Sequence, residues 1–177
     1  MIAALFAVDN VGGMGVNGHM PWPHNKDDMQ WFKKATQGQI VVMGKRTWES
    51  PDMPSPLPGR TNVLFTNNFI DREDIEQIRG DVCEALVSIQ KSNKKFNIFV
   101  IGGPNLLEQA KPVLEKMYIT RIQGEYLSDT KIDLDDFTKG FKLVNSVNLG
   151  SCTVEEYQNE TVQPSPPPRT RTRRKQD

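Results

Sequence analysis

Three short runs, Ile2–Val8, Ile40–Met43 and Asn97–Ile101, are apolar at nearly every position, and Thr61–Thr66 is only slightly more polar. A strand that is apolar at consecutive positions has no face for water, so it must lie in a sheet covered on both sides. Between these runs the apolar spacing changes to a helical one. From Lys26 to Thr36, Asp28, Phe32 and Ala35 recur at i, i+4 and i+7 on one face, and Gln37-Gly38 ends the helix. Gly44-Lys45-Arg46-Thr47 opens a short helix through Glu49. Asp81 can cap a helix over Val82–Lys91 whose Ala85, Leu86 and Ile89 form one stripe, and Asn105–Ala110 is helical. Strands alternating with helices predict an α/β fold with a central, mainly parallel sheet flanked by helices on both faces.

The remaining segments complete that plan. Lys116–Gln123 alternates as a strand, Ile75–Arg79 is a weaker one, and Phe141–Leu149 with Cys152–Gln158 reads as a C-terminal antiparallel hairpin about Gly150-Ser151. Gly12 to Trp22 is expected to be a long flexible loop, and Ser50–Pro58, with four prolines, must be irregular.

A chain of 177 residues predicts one domain, which can bury roughly 70% of its unfolded surface without disulfides or a structural metal. The 22 Lys and Arg balance 22 Asp and Glu, so bulk attraction to nucleic acid or an anionic membrane is not expected. That balance is uneven along the chain. Residues 163–177 hold five Lys or Arg and one acid, leaving −4 for residues 1–162. This Pro/Arg-rich tail is expected to be disordered, and it is the one segment suited to a nucleic-acid or protein contact. Cys83 and Cys152 stand far apart without a metal-binding pattern and are expected as reduced thiols. No apolar run reaches the ~18 residues of a membrane helix, and the N-terminus lacks a basic signal region. A cytoplasmic protein is expected.

Three features point to chemistry. Asp28 is an acid on an otherwise apolar helical face, where burial opposes its ionisation and the positive helix end favours it. Such a carboxylate can grip N–H groups of a ligand and assist proton transfer near neutral pH. Two strand ends open into helices through glycine, at Gly44-Lys45-Arg46-Thr47 and Gly102-Gly103-Pro104. They suit a pyrophosphate carrying an extra phosphate, although Lys45-Arg46 by themselves read first as a solvated surface pair. Third, the glycine-rich loop ends on Met20-Pro21-Trp22 and can close over a cleft. His19 and His24 are too few for a metal site, and none is expected.

The chain resembles dihydrofolate reductase over roughly residues 1–160. The motifs that carry the resemblance are Ala7-Val8-Asp9, Gly15 leading to Met20-Pro21-Trp22, Asp28 to Lys33, Val42 to Ser50, Leu57-Pro58-Gly59-Arg60, Val100 to Gly103, and Thr120. The resemblance implies a dihydrofolate-reductase-like mixed sheet and reduction of 7,8-dihydrofolate with NADPH, in support of one-carbon metabolism and nucleotide synthesis, by a monomer that binds antifolates. It implies that Asp28 holds the pterin, that Trp22 anchors a water near it, and that Met20 covers the reaction. Leu5, Ala7, Met29, Phe32, Leu57, Ile101 and Thr120 would border the substrate, and Arg60 would bind the α-carboxylate of its glutamate. Ala7, Met14, Gly15, Met20, Gly44, Thr47, Ile101, Gly102 and Gly103 would touch the nicotinamide half of NADPH and its pyrophosphate. Lys45, Arg46, Thr66 and Asn67 would recognise the 2′-phosphate.

The resemblance also implies a cis bond between Gly102 and Gly103, and a latch on the loop at Asp129. At Leu107, where many relatives carry tyrosine, a hydroxyl is missing, and the long segment between Ser50 and Leu57 is expected to reshape the entrance above the glutamate tail. A riboflavin-pathway reductase would share the NADPH half but not Asp28 together with Leu57-Pro58-Gly59-Arg60. A binding protein without turnover is the other reading, distinguished by following NADPH oxidation.

Overall fold

In a computed structural model that describes residues 1–161, β1 (Ile2–Val8) runs inside an eight-stranded sheet. The tail over 163–177 lies outside the described residues. After β1 come β2 (Gly13–Gly15), α1 (Lys26–Thr36), β3 (Ile40–Gly44), α2 (Lys45–Trp48), β4 (Thr61–Phe65) and β5 (Glu76–Ile78). The chain continues through α3 (Val82–Ser92), β6 (Ile98–Gly102), α4 (Pro104–Ala110), a 3-10 turn at Lys111–Val113, and β7 (Lys116–Ile122). It ends with β8 (Thr130–Lys131), α5 (Leu134–Phe137), β9 (Phe141–Asn148) and β10 (Cys152–Asn159).

The strand order is β5-β4-β3-β6-β1-β7-β10-β9. Neighbours from β5 to β7 are parallel, and β10 pairs antiparallel with both β7 and β9, as the sequence predicts. The connections β1 to β3 and β3 to β4 step one way along the sheet, whereas β5 to β6 and β6 to β7 step back. Right-handed crossovers therefore put α1 and α2 on one face, and α3 and α4 on the other. The core divides accordingly. Ala3, Leu5, Val41, Met43, Phe99 and Ile101 pack with Phe32 of α1 and Trp48 of α2. Ala4, Phe6, Val42 and Val100 pack on the opposite face with Leu86 of α3 and Leu107 of α4. Leu107 is wholly buried there.

β6 sends its chain to one face while both neighbours, β3 and β1, send theirs to the other. Such a divergence opens a crevice at the carboxyl ends of the strands, where ligands bind in open α/β sheets. Two local features differ from the sequence reading. The loop expected from Gly12 contains β2, which pairs with β8, and then a two-residue hairpin at Asn17-Gly18 with φ of +50° and +79°. Asn-Gly is the usual pair for such a turn because both positions need positive φ. On the water side of α1, Asp27 accepts hydrogen bonds from the Ser151 hydroxyl and N–H at 2.7 and 3.3 Å. α5, absent from the sequence reading, is capped by Asp133, which accepts from Asp136 N at 3.2 Å.

Candidate active site

The crevice is a cleft of about 1850 Å³, and every residue named above for substrate or cofactor lines it. Its acid is set by the start of α1. Asn25 caps the helix by accepting from Asp28 N at 3.0 Å, which fixes the first turn so that Asp28 points inward beside the sheet. Asp28 is 8% exposed, and burial pushes its carboxyl up to about 6, while the Thr120 hydroxyl pulls the other way. Thr120 pairs with Ala7 across β1 and β7, and Tyr118 with Leu5, so the strand register sets this wall. The buried Trp22 indole N–H has no acceptor among the described residues. Phe32, Leu57 and Ile101 make the apolar wall, whereas Met29, 41% exposed, sits at the mouth rather than the floor.

The opposite arm of the cleft is built where β3 and β6 end together. Met43 pairs with Gly102, and the Gly102–Gly103 peptide is cis. A Cβ on Gly44 would lie 3.7 Å from Gly102 O, and one on Gly102 would lie 3.5 Å from Thr47 Oγ1. The absent side chains leave a bare backbone trough leading to the side chains of α2. Among the described residues, no side chain caps the first-turn N–H groups of α2 and α4. Beyond them stand Lys45, Arg46 and the exposed Asn67. Thr66 is different: its hydroxyl closes a turn, donating to Asn68 O at 3.1 Å and accepting from Asn68 N at 3.2 Å. A trough without side chains leading to two cations fits a dinucleotide that carries an additional phosphate.

Arg60 stands at the cleft mouth on a turn that the sequence reading identifies only in part. Its Nε donates to Pro58 O at 2.9 Å and its Nη1 to Thr36 Oγ1 at 3.2 Å. Gly59 has φ of +73°, and a Cβ there would strike Gln37 Nε2 at 2.1 Å. The missed residue is Asn62. Buried at the start of β4, it accepts from Leu57 N at 2.9 Å and donates to Leu57 O at 2.9 Å and Arg60 O at 3.1 Å. An amide just ahead of the apolar Val63-Leu64-Phe65 run is the sequence signal for it.

The third wall is the segment that ends at Met20. Its base is tied by Asp9, fully buried, which accepts from Gly13 N at 2.8 Å, Val11 N at 3.0 Å and Tyr126 N at 3.0 Å. Burial pushes the Asp9 carboxyl up, but these backbone donors outweigh it and hold it below its ordinary range. The expected latch is present: Asp129 accepts from Asn17 N at 2.8 Å, and its own N–H donates to Gly15 O at 3.0 Å. Met20 packs against the buried cluster of Trp22, Ile122 and Cys152, as Ala7 does. The proline-rich segment does something the sequence does not announce, because Ser50 and Asp52 bond to this loop across the cleft instead of only framing the glutamate end.

A doubly wound sheet whose crevice joins a bare glycine trough to a buried carboxylate defines an α/β nucleotide-binding protein with an acid beside the bound group. The comparisons give the particular family. The family model for dihydrofolate reductase matches residues 1–162. The chain is 31% identical over 148 residues to dihydrofolate reductase type 9 of Escherichia coli, covering 81% of each chain. It is 32% identical over 152 residues to the dihydrofolate reductase of Bacillus subtilis, covering 82% of this chain and 83% of that one. A solved structure, dihydrofolate reductase from Enterococcus faecalis complexed with NADP(H) and RAB-propyl, superposes with a TM-score of 0.74 at 26% identity, over 89% of this chain and 95% of the other. The chain belongs to the dihydrofolate reductase family.

Proposed function

We propose that the cleft carries out the family's reaction, reduction of 7,8-dihydrofolate to 5,6,7,8-tetrahydrofolate at the expense of NADPH, with Asp28 as the residue on which turnover depends. The observation that carries this is a single acid, buried on α1 and held near pH 6 by that burial, facing the same cleft as the glycine trough. Bound NADPH supplies a hydride from C4 of its nicotinamide. The chain's part is to bind, orient, exclude water and manage one proton.

Asp28, ionised above about pH 6, accepts hydrogen bonds from the pterin's amino group and ring N–H, and its negative potential favours protonation at N5. The Trp22 N–H, with no acceptor among the described residues, can hold a water near that acid. Leu5, Ala7, Phe32, Leu57 and Ile101 hold the pterin and benzoyl rings in an apolar slot, with Met29 at the rim. Arg60 offers its remaining N–H groups to the α-carboxylate as a planar fork, a contact that lysine reproduces poorly. Gly44, Thr47, Gly102 and Gly103 receive the pyrophosphate, and Met14, Gly15 and Met20 flank the nicotinamide. Lys45, Arg46 and Asn67 read the 2′-phosphate, and Thr66 shapes their turn. Folding the Met20 segment over both rings keeps the reaction dry. The enzyme works as a cytoplasmic monomer open to antifolates, and the tail stands outside the reaction.

The test is NADPH oxidation followed at 340 nm with dihydrofolate present, for the wild type and Asp28→Asn. Isosteric loss of the charge is expected to lower kcat at pH 7 by about 100-fold or more while NADPH affinity stays near normal. Equal turnover by the two proteins removes Asp28 from the mechanism.

A further inference from the structure

The Met20 segment is gripped from both banks of the cleft. Asn17-Gly18 forms the tip of its hairpin, with Val16 N donating to His19 O at 2.8 Å and His19 N to Val16 O at 2.9 Å. Asp129 holds the Asn17 side of this tip. On the opposite bank, Asp52 Oδ2 accepts from Met20 N at 2.7 Å, His19 Nδ1 lies 3.1 Å from Asp52 Oδ1, and the Ser50 hydroxyl donates to Gly18 O at 2.8 Å. We infer that Asp52 is a positioning residue for the reaction, which acts through the Met20 N–H to hold the loop shut over the nicotinamide end of the cleft.

The segment around Asp52 is built for this. Pro51 and Pro54 restrict the backbone on either side of it, and Met53 N donates to Ser50 O at 3.2 Å to close the turn. The carboxylate thus meets the loop in a fixed place, so little ordering entropy opposes the bond. Its grip falls on the backbone N–H of the residue that packs against the buried cluster of Trp22, Ile122 and Cys152, which Ala7 also borders. Asp52 also follows α2 after three residues, and α2 carries Lys45, Arg46 and Thr47. The element that would hold the dinucleotide and the latch above it are therefore joined by a link of three residues. The His19 ring is 54% exposed, so its contribution is small beside that of the backbone donor. This inference rests on the proposed NADPH site.

The variants are Asp52→Ala, Asp52→Asn and His19→Ala, each read by the NADPH dissociation rate in stopped flow, by single-turnover oxidation of NADPH with dihydrofolate, and by thermal melting. Loss of a charge-assisted bond to the lid is expected to speed NADPH release about tenfold in Asp52→Ala and to slow the single turnover, with little change in Tm. Asp52→Asn keeps an acceptor for the Met20 N–H and should restore most of both rates. His19→Ala should shift them by no more than about twofold. Wild-type release rates in Asp52→Ala overturn the inference. Equal losses in Asp52→Ala and Asp52→Asn also overturn it, since they assign the effect to charge at the cleft mouth. A wild type that fails to oxidise NADPH with dihydrofolate refutes the functional reading instead.

Discussion

Asp28 shows how much one side chain costs the fold in order to serve the site. Its carboxyl titrates near 6 in the folded chain against an ordinary 3.8, because burial penalises the anion. The folded state therefore binds the proton more tightly than the unfolded one, and stability is lost as pH rises from about 3.8 through 6. Above that range the penalty is constant, at about 3 kcal/mol for two pH units. Asp28→Asn should then be more stable than the wild type by about 2–3 kcal/mol at pH 7.5 in urea unfolding, with the gain gone by about pH 4. A variant that is less stable at both pH values would show that the carboxylate is not penalised. The residue was legible in the sequence because one acid stood among Phe32 and Ala35 at helical spacing. Asp52 was not, since its bonds reach 32 and 33 positions along the chain and no local pattern encodes them.

Among the elements, those decided by local signals were legible and those decided by long-range pairing were not. α1 falls on Lys26–Thr36 as expected, because Asn25 caps it and the apolar stripe has the helical period. β2 and β8 are three and two residues long, and their pairing depends on Asp9 and Asp129 joining segments more than a hundred residues apart. The turn from Leu57 to Asn62 lies between these cases. Its Leu-Pro-Gly-Arg motif is visible in the sequence, but the amide that closes it is visible only in the structure. Asn62→Ala leaves buried backbone groups of Leu57 without partners and should cost about 2–4 kcal/mol in unfolding free energy. It should also raise KM for dihydrofolate while leaving the NADPH Kd nearly unchanged, because Arg60 and Leu57 sit on that turn. A parallel rise in both constants would mean that the turn supports the whole cleft.

At the scale of the molecule, the sheet's change of direction at β6 creates the site. It opens the crevice, and it places the buried acid on the helix of one face and the glycine trough at the strand ends beside it. The net charge of zero says little about this, because residues 1–162 carry −4 and the cations that matter, Lys45, Arg46 and Arg60, are clustered at the cleft. The apolar strand runs made the sheet legible, and the crossover handedness then fixed which face each helix covers. How the two banks of the cleft lock onto the Met20 segment was not legible, because that depends on segments that meet only after folding. The proposed function requires this cleft to stack the two reacting rings and pass hydride between them. Its most direct test is a single turnover with NADPH deuterated at the transferable C4 position and 7,8-dihydrofolate. The account predicts that deuterium appears at C6 of the tetrahydrofolate formed; NADPH and dihydrofolate that both bind without transfer of the label would contradict it.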